Sequence, residues 1–139
     1  MALAVAIFVL ALVGALVAAA FQIGLLEQRI GRNSVYAAQA AYAAEAGAAM
    51  VLADWERYPE IGALAVTDSV TLASAGLGGR VAFQPTVVRL TDGLYLIRSQ
   101  GTRTDAAGNV LAQRSVATLA RTTAEGAAPL AQRSWVQVY

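Results

Sequence analysis

Residues 1–26 read MALAVAIFVLALVGALVAAAFQIGLL, and the first charged side chain in the chain is Glu27. Within that stretch every residue except Gln22 is apolar or small. As an α-helix it is about 39 Å long, against a bilayer hydrocarbon core of roughly 30 Å. A helix of that kind spans a membrane with some tilt, or packs as one rod among copies of itself. Its reading decides the fold, because the residues after it continue the same element.

Residues 27–58, EQRIGRNSVYAAQAAYAAEAGAAMVLADWERY, are rich in Ala, which loses no side-chain entropy in a helix. Together the two stretches predict one helix from about residue 2 to about residue 56, roughly 80 Å long. Leu26, Ile30, Val35, Tyr42, Met50 and Val51 are expected to form a partial apolar stripe, with Glu27, Arg32, Gln39 and Glu45 in polar positions. Tyr58-Pro59 is expected to end the helix, because a residue before proline is pushed out of the helical region. Gly14, Gly24 and Gly31 interrupt it, each at about 1 kcal/mol relative to Ala. Two uses fit them: close approach of a second helix, or, at Gly14 and Gly24, a place for the helix to unwind inside an assembly.

Beyond Pro59 the pattern changes to short segments of period two. Residues 69–73 (SVTLA) read as a weak strand and 80–90 (RVAFQPTVVRL) as a better one, with Pro85 marking a bulge or an edge. Thr91-Asp92-Gly93 is a hairpin turn into the strand 94–103, and residues 105–109 turn into the strand 110–122. Residues 124–131 read as loop, and the tail 134–139 alternates as a further edge strand would. The expected fold is therefore α+β: a very long N-terminal helix (about 2–56) packed on a small C-terminal antiparallel sheet. The amphipathic half of the helix is the cover for one face of the sheet. Residues 1–26 form the apolar half-helix, and 27–139 the folded domain.

Composition narrows the function. The chain has 139 residues, 58% of them hydrophobic and 14% charged, with a net charge of +1 spread evenly after Glu27. That profile is far from disorder and shows no basic stripe for nucleic acid. The absence of Cys and His removes disulfides, redox motifs and the usual zinc ligands. Without His, Cys or Lys the common general bases and activated nucleophiles are missing, and no serine sits in a G-x-S-x-G elbow. Asp54, Glu56 and Glu60 fall at the end of a helix and read as a solvated acidic patch. Gly76, Gly78 and Gly79 lack the Lys of a phosphate loop and read as a turn. The chain is read as no enzyme, with no catalytic, cofactor or metal residues. The N-terminal run also lacks the basic leader of a signal peptide or anchor. One explanation is that Met1 is the first residue of a processed chain.

The layout resembles the type IV pilin and pseudopilin superfamily. Residues 2–52 are most similar to the N-terminal region of PilX-type minor pilins, in ALAVAIFVLALVGAL, the polar knot RIGRNS (29–34) and AAQAAYAAEAG (37–47). YLIRSQGT and QRSVATLAR also resemble strands of that group. The resemblance implies cleavage by a prepilin peptidase and N-methylation of Met1. It implies storage in a bacterial inner membrane, then assembly by the pilus machinery, with copies of itself or other pilins, into a periplasmic or extracellular filament. Filament-core packing would fall to Ala4, Val5, Phe8, Ala11, Leu12, Gly14, Ala15, Ala18 and Phe21. Most major pilins carry a glutamate at the fifth position, where this chain has Val5; PilX-type and tip subunits commonly lack it. The Met1 ammonium would then need another partner. Glu27 of an axially displaced copy is the candidate, with Arg29 as a second inter-subunit charge. On that expectation Glu27→Gln lowers filament yield, and an unchanged yield removes Glu27 from the role. The resemblance leaves two roles open: a structural subunit of a pilus-like filament, or a priming or tip subunit of a pilus or type II secretion pseudopilus. A membrane-anchored domain binding a periplasmic partner is a third reading.

Overall fold

The computed structural model describes residues 2–124 and 126–130, together with the backbone of 135–138. It is an α+β protein with one long N-terminal helix, α1 (Ala2–Ala53), and a small antiparallel sheet against which that helix packs. The chain divides into two compact units, Met1–Val35 and Tyr36–Tyr139. In the first unit α1 is continuous through Gly14, Gly24 and Gly31, and a Cβ added at any of the three would meet nothing within 4 Å. The Ser34 hydroxyl donates to the Gly31 carbonyl at 2.7 Å, a local bond that competes with the helical ladder.

In the second unit α1 ends at Ala53, three residues before the expected 56, and tightens into a 3-10 turn, Trp55–Arg57. The turn brings the Trp55 ring edge-on to Tyr95, with centroids 5.1 Å apart, and that contact favours the early stop. Tyr58 then leaves the helical region at φ −114°, ψ 73°, as a residue before proline must. Pro59 closes nothing: it opens a second short helix, α2 (Pro59–Gly62), from its first position.

Seven strands follow among the described residues: β1 (Ser69–Thr71), β2 (Ala75–Gly78), β3 (Val81–Thr91), β4 (Leu94–Thr104), β5 (Val110–Thr123), β6 (Gly126–Pro129) and β7 (Trp135–Val138). Strands β3, β4 and β5 form the antiparallel meander, and β1 and β2 lie end to end along the free side of β3. β6 and β7 do the same along β5. Two expectations need correction here. Residues 76–78 are strand rather than turn; the turn is Gly79-Arg80 alone, with φ of 58° and 64°. Positive φ at both central residues matches the right-handed twist of the flanking strands. Within 124–131, residues 126–129 pair with β5 and are not loop. A Gly-Ala-Ala-Pro segment has no polar–apolar alternation to reveal it. Pro85 lies just past the Thr71–Thr86 pair, where its carbonyl accepts the Leu72 amide at 2.9 Å; having no N–H to return that bond, it marks where pairing with β1 stops.

The covered face of the sheet carries Phe83, Pro85, Val87, Tyr95, Ile97, Ser99, Val116, Thr118 and Ala120, all buried. From α1 the buried residues are Ala40, Ala43, Ala44, Gly47, Ala48 and Val51. Of the stripe expected from the sequence only Val51 is buried, while Tyr42 is 76% exposed. At roughly 100° per residue Tyr42 and Val35 fall on the side opposite Val51, whereas the small residues share one side. The small face is a steric requirement. A Cβ on Gly101 of β4 would collide with the Ala40 carbonyl oxygen and sit 2.5 Å from the Ala44 nitrogen. One on Gly47 would collide with the Ser99 hydroxyl and lie 2.6 Å from the Phe83 ring.

Candidate functional site

The apolar stretch of the first unit is the most unusual surface in the molecule. Leu3, Val5, Ile7, Phe8, Leu10, Leu12, Leu16, Phe21, Ile23, Leu25, Leu26 and Ile30 are each more than half exposed in the single chain. A contiguous exposed apolar surface of this extent needs lipid or a partner to remove it from water. The helix is long and apolar enough to cross a membrane.

Helical periodicity arranges the expected packing residues in groups. At roughly 100° per residue, Ala4, Phe8, Ala11, Ala15 and Ala18 share one side, with Gly14 at its margin. Val5 and Leu12 lie on the next side, and Phe21 beyond Gly14. Ala20 and Gly24 leave a shallow notch bordered by Val17, Phe21, Leu25 and Gln28, the kind of recess a neighbouring side chain fills. Glu27 and Arg29 are exposed, on nearly opposite sides of the helix, and among the described residues neither makes an ion pair. The structure therefore does not bring them together. Met1 lies outside the described residues.

The acidic group at the end of α1 is solvated. Asp54 is paired with Arg57 at 3.0 Å, with both side chains well exposed, and Glu56 and Glu60 are exposed. Among the described residues no set of three or more acidic side chains could hold a metal ion. On the sheet face away from α1, Ser69, Gln84, Thr86, Val88, Arg98, Gln100 and Ser115 line a shallow depression with Arg98 as its one charge. It offers hydrogen bonds but no acid–base pair.

Two groups that sequence reading missed position the domain on its helix. The Arg103 guanidinium donates from Nε to the Gln39 side-chain oxygen at 2.8 Å and lies 5.6 Å from the Tyr36 ring centroid. Its Nη1 also donates to the Arg80 and Thr104 carbonyls. One side chain thus links α1, β4 and the β2–β3 turn. At the other end Arg89 donates to the Leu64 carbonyl at 2.7 Å and pairs with Asp92 at 2.5 Å, fixing the connection after α2. The spacing of Ala40, Ala43, Ala44, Gly47, Ala48 and Val51 was the available signal for the covered side of α1. Nothing local marks Arg103.

The fold and the apolar stretch together define a class: an α+β protein whose N-terminal half-helix is apolar, exposed in the single chain and long enough to cross a membrane. Comparison with protein-family models, with curated proteins and with solved structures gave no match.

Proposed function

We propose that this chain is a structural subunit of a type IV pilus-like filament, held in the inner membrane by residues 1–26 before assembly. One observation carries the reading: a single unbroken helix is uncharged and apolar through Leu26, then turns an alanine face onto an antiparallel sheet. Lipid is as apolar as a bundle of such helices, so moving the stretch from one to the other gains little from burial. Small residues that allow close packing, and polar contacts near Glu27, would have to favour the assembled state. That leaves extraction from the membrane to a motor and adhesion or cargo to the solvent-facing domain.

The test is native material examined by electron microscopy and intact mass. Uniform filaments whose subunit begins at N-methyl-Met1 are expected. A monomer in detergent that retains a longer cytoplasmic extension would overturn the reading. Val5 favours a second reading, a priming or tip subunit, since it removes the carboxylate usual in major pilins. Subunit counting separates the two: a bulk component dominates the filament, whereas a priming subunit is present in a few copies per filament beside another pilin.

A further inference from the structure

Along the chain the only grouping is the acidic run Asp54, Glu56 and Glu60; the fold sorts the remaining charges by end. Strand β4, from Leu94 to Thr104, defines two ends of the Tyr36–Tyr139 unit. At the Thr104 end lie Arg80, whose carbonyl accepts the Thr104 amide, Arg103 in β4, and Arg114 opposite Gly101. One carboxylate lies nearby, Asp105, held within its own turn by the Ala107 and Asn109 amides and the Asn109 side chain, and three guanidinium groups against it leave this end net positive. At the Leu94 end lie Glu56 beside the Trp55–Tyr95 stack, Glu60 in α2, and Asp68, whose carbonyl accepts the Arg89 amide. These three are exposed, and among the described residues no ion pair reaches them. The neighbouring Asp54 and Asp92 are neutralised by Arg57 and Arg89. Arg121, opposite Leu94, projects from the sheet face away from α1. Exposed apolar side chains accompany both ends: Leu77, Val110 and Leu111 at the basic one, Val66 at the acidic one.

We propose that the basic end of one copy, through the exposed Arg80 and Arg114 with the anchored Arg103 adding to its positive field, docks head to tail on the acidic end of a second copy, Glu56, Glu60 and Asp68. An anionic membrane surface would satisfy the basic end and leave the acidic end without a counterpart; a second copy uses both. A contact between unlike patches of one molecule propagates rather than closing, unless its rotation makes a ring. The proposal rests on the filament reading and gives it an axial contact between solvent-facing domains. There, complementary charge sets register and rejects like-end approach.

The chain contains no cysteine, so introduced thiols report contacts without background. Full-length Arg114→Cys and Glu60→Cys variants, purified separately in detergent, are mixed and oxidised, and far-UV circular dichroism checks that each is folded. The two sites lie too far apart along the sheet, at about 3.3 Å per strand residue, to link within one chain. A disulfide heterodimer from the mixture, with no homodimer from either variant alone, is the expected result. Arg114→Glu should weaken association up to about fivefold per lost pair, and adding Glu60→Arg on the partner should restore it. Homodimers only, no cross-link, or no response to charge reversal overturns the contact. So does an Arg114-dependent affinity for phosphatidylglycerol vesicles without any cross-link. Native material that forms no filament yet gives the heterodimer would fail the filament reading while the contact stands. Filaments without the cross-link do the reverse.

Discussion

Gly101 has no side chain because α1 leaves no room for one. A Cβ there meets the backbone of Ala40 and Ala44, which cannot swing aside as a long side chain does. Gly101→Ala therefore has to lift the helix off β4. Overpacking of this kind costs about 1–3 kcal/mol, measured as a lowered midpoint in chemical denaturation of the full chain in detergent. Gly62→Ala, with open space around it, is the control and should shift the midpoint little. Ser99 presents the opposite situation. Its hydroxyl is buried against α1 and, among the described residues, has no hydrogen-bond partner; Thr118 on the adjacent strand is in the same state. Removing an unpaired buried hydroxyl relieves a desolvation cost of about 1–3 kcal/mol. Ser99→Ala should leave stability unchanged or raise it, and a clear loss in the same denaturation experiment would point to a partner for the hydroxyl. Neither residue stands out in the sequence. A glycine and a serine inside a strand look like weak points until the helix is laid across them.

At the scale of elements, the β4–β5 hairpin is governed by its turn. Hydrogen bonds from the Asn109 side chain, then from the Asn109, Ala107 and Gly108 amides, hold the Asp105 carboxyl below its ordinary value of 3.8. A carboxyl with a depressed folded-state value stabilises the fold above its unfolded value and loses that contribution as pH falls through the folded one. The turn should therefore be intact at neutral pH and loosen below about pH 4. The protection of the Asn109 amide, its exchange relative to the intrinsic rate at the same pH, should fall there, and Asp105→Asn should flatten that pH dependence. Turns of this chemistry were legible in the sequence: Asp-Gly at 92–93 and Asp-x-x-Gly-Asn at 105–109 place the three long strands within a residue or two. The short strands were less so. β2 and β6 consist of Gly, Ala, Leu and Pro, with no alternation to betray a half-buried surface, and pairing partners far along the chain create them. The helix end falls three residues before the expected position for a related reason, since Trp55 is drawn in by Tyr95, a residue of β4.

For the whole molecule, the boundary between the two units falls between Val35 and Tyr36, later than the first charge at Glu27. Every residue from Glu27 to Val35 is exposed, so a polar side chain is not where the domain begins; the domain begins where Tyr36 meets Arg103. A chain starting at Val35 keeps every buried residue of the domain, and should be soluble without detergent and unfold cooperatively. Aggregation or a non-cooperative transition would mean the apolar half contributes to the fold. The division into an apolar half and a sheet domain was visible in composition alone. The sorting of charge to opposite ends was legible only for Glu56 and Glu60; Asp68, Arg80 and Arg114 reach their ends through which strands lie side by side. The paired short strands on either side of the meander carry one more consequence. Each long outer strand of β3–β4–β5 already has its backbone donors and acceptors occupied along much of its length by two short segments. Among the described residues, two copies pressed together at high density therefore meet short strand edges rather than a long bare one, which disfavours sheet continuation from one copy to the next.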